Sequence, residues 1–300
     1  TVLLGLCCVH AQKSPPEADP QKPTSSSDTK TTAQVTPRKD FALPIEVDFD
    51  YGASNGEAII SRFAPLIAFP LGEEWKVINL TLAVVASAPG GVPGRPGNPE
   101  PEEGVRAFGL GDLTNLVLFT PPTQSQKLVW GFGPAVTFPI ATSDSLGSGK
   151  WSTGPAFRIA YRPGPWNLGA VVVNLGSFAG DTGRGDVHQL LVRGLIRREL
   201  GGDWYFTHNP IITANWNSSS GQRWLLPIGG GIGRSFELGG RPVALAFHYY
   251  YNAIKPEGAP TGLFRIDFVV PILVSGVINT LAVVGSATVP RSRRDNESMP

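Results

Sequence analysis

The chain has 300 residues, with 25 Lys and Arg against 24 Asp and Glu, for a net charge of +1. That balance excludes the basic field of a nucleic-acid binder and offers no pull toward an acidic partner. With 36 Gly, 28 Pro and only 16% charged residues, the composition suits a turn-rich β protein better than a helical one.

The chain opens with TVLLGLCCVHAQ. Val2 to Val9 is a short apolar run, and Val9-His10-Ala11 matches a small-residue cleavage site before Gln12, so residues 1–11 are expected to be a truncated signal peptide. Cys7 and Cys8 would leave with it, and the remainder would hold neither a disulfide nor a thiolate metal site. Residues 12–40, rich in Pro, Ser, Thr and Lys, have no apolar periodicity and read as a disordered tether.

From Phe41 the chain divides into segments close to the roughly 9–11 residues a tilted membrane strand needs. They are 41–51, 57–70, 75–88, 109–120, 127–140, 151–162, 165–178, 187–200, 203–216, 222–237, 241–254 and 261–273. Short turns (PLGEE, PPTQSQ, RPGP, LGGD, LGGR) alternate with gaps around 52–56, 89–108, 141–150, 179–186, 216–221 and 255–260 that are longer or more polar. The expected fold is all-β. It is a closed antiparallel transmembrane β-barrel of about twelve strands over residues 41–273, with both termini on the periplasmic side.

The stretch WGFGPAVTFPIATSDSLGSGKWSTGPAFRIAYRPGPW carries the clearest pattern. Trp130, Phe132, Pro134, Val136, Phe138 and Ile140 share one parity, against Gly131, Gly133, Ala135, Thr137 and Pro139. The second arm sets Trp151, Phe157, Ile159 and Tyr161 against Ser152, Ala156, Arg158 and Ala160. Period two means strand, and an apolar face that begins and ends in aromatics suits a bilayer crossing. Trp130, Trp151, Tyr161, Trp166, Trp204, Trp216 and Trp224 are therefore expected at the membrane interfaces. Trp204 and Trp216 share parity and would stand roughly 28–30 Å apart along a tilted strand.

Some features resist the scheme. Val171, Val172 and Val173 break the alternation of 165–178, and Pro134, Pro155, Pro210, Pro227 and Pro271 fall inside strands, where bulges would have to absorb them. Phe268 to Pro290 carries no charge and could be taken for a membrane helix. Pro271 and the β-branched composition favour a last strand followed by a tail, 274–300.

The parity opposite the apolar face would line a lumen. It offers Arg62, Asn79, Thr81, Arg158, Arg193, Arg197, Asn209, Asn215, Arg265 and Asp267, which could set selectivity or simply pair and fill the interior. His188, His208 and His248 are too dispersed to suggest a metal site. Ser218 to Ser220 lack a nearby base, though His208 or His248 could serve a phospholipase-like chemistry. Gly229 to Gly233 alternate with isoleucines in a strand rather than opening a helix, so they mark close approach or a bulge, not a nucleotide loop. Arg184-Gly185-Asp186 reads as a polar loop.

WGFGPAVTFPIATSDSLGSGKWSTGPAFRIAYRPGPWNLGAVV, GLGDLTNLVLFTP and the final LFRIDFVVP together resemble a known family. It is the outer-membrane proteins named for the phenol meta-degradation pathway, often mislabelled neuromedin U. The resemblance runs from about Phe41 to Pro271 and implies an outer-membrane barrel passing small hydrophobic or aromatic compounds. It implies no catalytic residues and no cofactor. The expected surroundings are outer-membrane lipid of a Gram-negative-type bacterium, with no nucleic-acid partner and an unnamed permeant. A barrel plugged by its own side chains or tail, and a phospholipase-like membrane enzyme, are the alternatives.

Overall fold

The computed structural model describes residues 40–54, 56–72, 74–89, 106–122, 127–239 and 241–271. The expected signal peptide, nearly all of the expected tether, and the tail lie outside the described residues. Among the described residues no helix is long and apolar enough to cross a membrane.

The elements are β1 (Asp40–Tyr51), β2 (Ile59–Phe63), β3 (Leu66–Leu71), β4 (Trp75–Pro89), β5 (Arg106–Leu110), β6 (Leu113–Thr120), β7 (Leu128–Phe138) and β8 (Lys150–Tyr161). They continue as β9 (Trp166–Gly180), β10 (His188–Gly201), β11 (Trp204–His208), β12 (Ile211–Asn215), β13 (Trp224–Leu238), β14 (Arg241–Ile254) and β15 (Gly262–Pro271). β2–β3, β5–β6 and β11–β12 each form one broken stave, so the strands make a twelve-stave antiparallel barrel. Each stave pairs with its sequence neighbours, and β15 returns to β1 from Tyr51↔Gly262 to Ala42↔Pro271. Closure leaves no free edge, which a spanning sheet requires because lipid cannot satisfy bare N–H and C=O groups.

The staves follow the twelve segments read from the sequence. The difference is that 57–70, 109–120 and 203–216 are not continuous strands. They break at Ala64-Pro65, Gly111-Asp112 and Asn209-Pro210. The meander puts the strand ends at Leu71, Trp75, Thr120, Leu128, Tyr161, Trp166, Gly201, Trp204, Leu238 and Arg241 at one end, the short-turn end. The strand ends at Tyr51, Ile59, Pro89, Arg106, Phe138, Lys150, Gly180, His188, Asn215, Trp224, Ile254 and Gly262 lie at the other, the loop end.

Alternation is nearly perfect along β8, where Trp151, Phe157, Ile159 and Tyr161 are exposed while Ser152, Ala156, Arg158 and Ala160 are buried. In β9, Val171 and Val173 are buried inside while Val172 takes the outer parity. The valine run thus belongs to a strand with apolar surroundings on both faces.

The prolines have specific accommodations. Pro134 and Pro155 stand opposite each other across β7 and β8. The ladder from β7 to β6 lapses between Ala135 and Phe132, and that from β8 to β9 lapses between Thr153 and Ala156. Each lapse lies beside a proline, which has no N–H to give. The preceding glycines complete the device. A Cβ on Gly133 would overlap the carbonyl oxygen of Val117, and one on Gly154 would overlap that of Asn174. The repeated Gly-Pro is thus one symmetrical adaptation used twice. Pro227 sits at a register shift, the bulge the sequence led us to expect, and Pro210 breaks its stave.

Gly133→Ala and Gly154→Ala should each destabilise the barrel by about 1–3 kcal/mol, the cost of overpacking against backbone that cannot easily move. The readout is a lower temperature for loss of the fast-migrating folded band in SDS. Gly176→Ala, where nothing lies within 4 Å, should leave that temperature unchanged.

Candidate functional site

The inner wall has a charged arc and an apolar arc. The charged arc starts on β1, whose period-two run EVDFD buries Glu46, Asp48 and Asp50 on one face. Register sets Asp48 opposite Arg265 on β15, and Glu46 opposite both Arg62 on β2 and Asp267 on β15. Arg265 donates to Asp48 through Nε at 2.6 Å and Nη2 at 3.0 Å, a bidentate charge-assisted pair. Arg62 donates to the same carboxylate. Arg193, on β10, donates to Glu46. Between β10 and β1 stand the β11–β12 stave, β13, β14 and β15, so this ion pair bridges the lumen from nearly opposite walls.

The Asn209-Pro210 break adds a neutral partner to the network. Where the stave breaks, the Asn209 backbone leaves the ladder, its N–H donating to Tyr250 Oη at 2.8 Å and its carbonyl accepting from Arg265 Nη1 at 3.0 Å. The Asn209 side chain accepts from Tyr250 at 2.8 Å and donates to Asp267 at 3.0 Å. His248 Nε2 lies 2.9 Å from Asp267, and its ring stacks on Tyr250.

Leu80, Leu82 and Val84 of β4, Leu116 of β6, Val171 and Val173 of β9 and Leu191 of β10 form the apolar arc. Between the arcs lies a cavity of about 280 Å³. Leu146, Gly147 and Ser148 of the 139–149 connection reach into it from the loop end. That segment is tied down by Asp112, which accepts from Ser148 N at 2.6 Å and Oγ at 2.7 Å, and by Arg184, which donates to the Asp144 carbonyl at 2.9 Å. Toward the short-turn end the lumen is filled by side chains. Leu66, Leu118, Arg158, Leu195 and Tyr205 are all buried, and Arg197 lies 3.4 Å over the Tyr205 ring while donating to Glu199 at 2.7 Å.

Chemically, this is an apolar chamber on a charge-compensated floor. All three guanidiniums facing the cavity, those of Arg62, Arg193 and Arg265, are held by β1 carboxylates. The floor is polar without offering an uncompensated cation to a free anion.

Of the residues expected to line the lumen, Arg62, Arg158, Arg193, Arg197, Asn209, Arg265 and Asp267 stand on the inner face. Asn215 is in register with Gln189, a cavity residue at the loop end. Asn79 and Thr81 require correction, because they stand on the outer face. Their neighbours Leu80 and Leu82 point inward because β4 is part of the apolar arc, so polar parity and lumen parity differ there. Thr81 is in register with Asn115, whose amide donates to Thr81 Oγ1 at 2.9 Å, while Asn79 donates to Asn115 at 3.1 Å. The three polar groups satisfy one another outside the barrel.

The aromatics expected at the membrane interfaces all project outward. Trp130, Tyr161, Trp166 and Trp204 are toward the short-turn end, and Trp151, Trp216 and Trp224 at the loop end. Trp216 donates its indole N–H to Asn174 at 2.8 Å and meets Trp224 edge-on at 5.7 Å. Sequence reasoning missed Glu46, Asp48, Asp50 and Tyr250. The carboxylates were findable, since EVDFD places three acids at every second position. Gly233, in the glycine run, leaves room for the Tyr205 ring on which Arg197 stacks. Ser218, Ser219 and Ser220 lie in the 216–223 connection.

No protein-family model and no curated protein matches the chain. Among solved structures, an outer membrane channel from Pseudomonas putida F1 superposes with TM-score 0.54 at 10% identity, covering 83% of this chain and 100% of that one. The NanC porin gives TM-score 0.47 at 12% identity, over 77% and 100% of the two chains. At such identity the first likeness concerns the fold alone, and the second is too loose to add to it.

Arg193→Ala leaves Glu46 buried and unpaired. It should cost about 3–5 kcal/mol in unfolding stability, and the double variant E46A/R193A should recover much of that loss. Denaturant unfolding of the four proteins in detergent, analysed as a double-mutant cycle, measures the coupling.

Proposed function

We propose that the protein is a passive outer-membrane channel for small, uncharged, mainly apolar molecules. The supporting observation is the cavity of about 280 Å³, with an apolar wall above a floor whose arginines are all paired with carboxylates. A free anion entering would have to break a buried pair to gain a guanidinium partner, whereas an apolar solute is favoured by burial against Leu80, Leu116, Val171 and Val173. The closed barrel and the exposed apolar outer parity support a membrane location, with the short-turn end on the periplasmic side as in bacterial barrels. The outer-membrane channel from Pseudomonas putida F1 is a fold precedent for such a role. The resemblance to the outer-membrane proteins named for the phenol meta-degradation pathway supports neutral aromatics as the first candidate permeants.

The ion pair across the lumen and the filled short-turn half favour a second reading, a plugged structural barrel. Uptake separates the two. Cells producing the protein in an intact outer membrane should take up labelled phenol faster than cells without it, with labelled glucose unaffected. L116D/V171D should reduce the gain several-fold. Phenol uptake identical with and without the protein would sink the channel reading. The plugged reading further expects E46A/R193A to carry no current in a planar bilayer, whereas a gated lumen should gain conductance when that pair is removed.

A further inference from the structure

The inner and outer arginines are treated differently by this fold. Arg197 and Arg198 are adjacent on β10, yet Arg197 is buried against Tyr205, Glu199 and Ser235 while Arg198 is exposed on the outer face. Arg234, on β13, is likewise exposed and outward. Among the described residues the side chain of neither Arg198 nor Arg234 makes an ion pair or a hydrogen bond. Each lies over an outward tryptophan instead, Arg198 at 5.1 Å from the Trp166 ring and Arg234 at 5.6 Å from that of Trp204.

Register joins the two pairs into one patch. Arg198 is opposite Trp166 on one side and Phe206 on the other, and Arg234 is opposite Trp204, two residues from Phe206 on β11. With strands about 4.8 Å apart and a rise of about 3.4 Å per residue, the two arginine Cα atoms stand roughly 12 Å apart. Both lie within a few residues of the short-turn end of their strands.

We propose that Arg198 and Arg234, with Trp166 and Trp204, form a binding site for the phosphate of an anionic phospholipid headgroup, in the leaflet at the short-turn end. The proposal rests on the membrane reading above. A tryptophan fixes the interface level, where its ring is apolar and its N–H can reach water. An arginine at that level, with no carboxylate partner among the described residues, is satisfied by the anion available there, and its planar fork binds phosphate in a two-point geometry. The ring beneath each guanidinium presents its charged head toward the headgroup layer. The third outward Arg–Trp pair is different. Arg223 lies 5.8 Å from the Trp216 ring at the loop end, but its guanidinium already donates to the Ser218 carbonyl at 3.2 Å.

The test uses full-length protein purified from outer membranes, stripped of lipid in detergent, and offered equal amounts of phosphatidylglycerol and phosphatidylcholine with identical acyl chains. Native mass spectrometry counts the retained lipids. Wild type should prefer phosphatidylglycerol, R198Q and R234Q should each lose about fivefold of that preference, and R198Q/R234Q should show none. R223Q should keep it. An unchanged preference in the double variant overturns the site. So does displacement of the bound lipid by millimolar inorganic phosphate, which would mark a site for free anions. The same preparations are checked for the heat-modifiable band and outer-membrane fractionation. A barrel missing from the outer membrane refutes the membrane reading, whereas a properly located, heat-modifiable barrel without lipid preference refutes this site alone.

Discussion

Everything in this protein depends on closing one antiparallel sheet upon itself. Each N–H and C=O of a spanning strand must find a partner on a neighbouring strand, and the β15–β1 seam supplies the last of them. The constraint is severe for a proline-rich chain, because every proline removes a donor from a ladder with no solvent-facing edge to hide it. The fold meets it locally. Pro134 and Pro155 face each other, with Gly133 and Gly154 letting neighbouring carbonyls come close, while Pro227 takes a bulge. Pro210 takes a full break, and the backbone released there becomes part of the lumen network through Asn209.

The second organising element is the acidic row of β1. Buried guanidiniums are costly unless paired and hydrogen-bonded, and Arg62, Arg193 and Arg265 come from three different staves. One strand neutralises all of them because Glu46 and Asp48 share its inner face. The consequence is geometric as well as electrostatic. Satisfying Arg193 from β1 draws a side-chain bridge across the lumen, and that bridge bounds the apolar cavity from below. Neutralisation of the arginines and narrowing of the lumen thus have the same physical origin.

Outer-face polarity follows other rules. Asn79, Thr81 and Asn115 satisfy each other and ask nothing of their surroundings. Arg198 and Arg234 have no such internal solution among the described residues and stack on tryptophans. The distinction between self-satisfied and unsatisfied outer polar groups separates a structural cluster from a surface that calls for a ligand.

Period-two alternation, aromatic ends and the spacing of turn residues determined the strand number, the antiparallel meander and the outward placement of Trp130, Trp151, Tyr161, Trp166 and Trp204. These are local properties, readable wherever the two faces of a strand meet different environments. Where both faces are apolar, as at Val171 to Val173, the signal vanished. Where the lumen wall itself is apolar, as on β4, it misled, and Asn79 and Thr81 were assigned to the wrong face. The acidic alternation of EVDFD was present in the sequence, but its meaning was not, since Glu46 and Arg193 are 147 residues apart and meet only through closure. Which arginines are paired, and which stand unpaired beside a tryptophan, was likewise decided by the tertiary structure. Pairing depends on which distant strands become neighbours and on which residues come to face each other across the lumen, and neither is encoded in any local pattern.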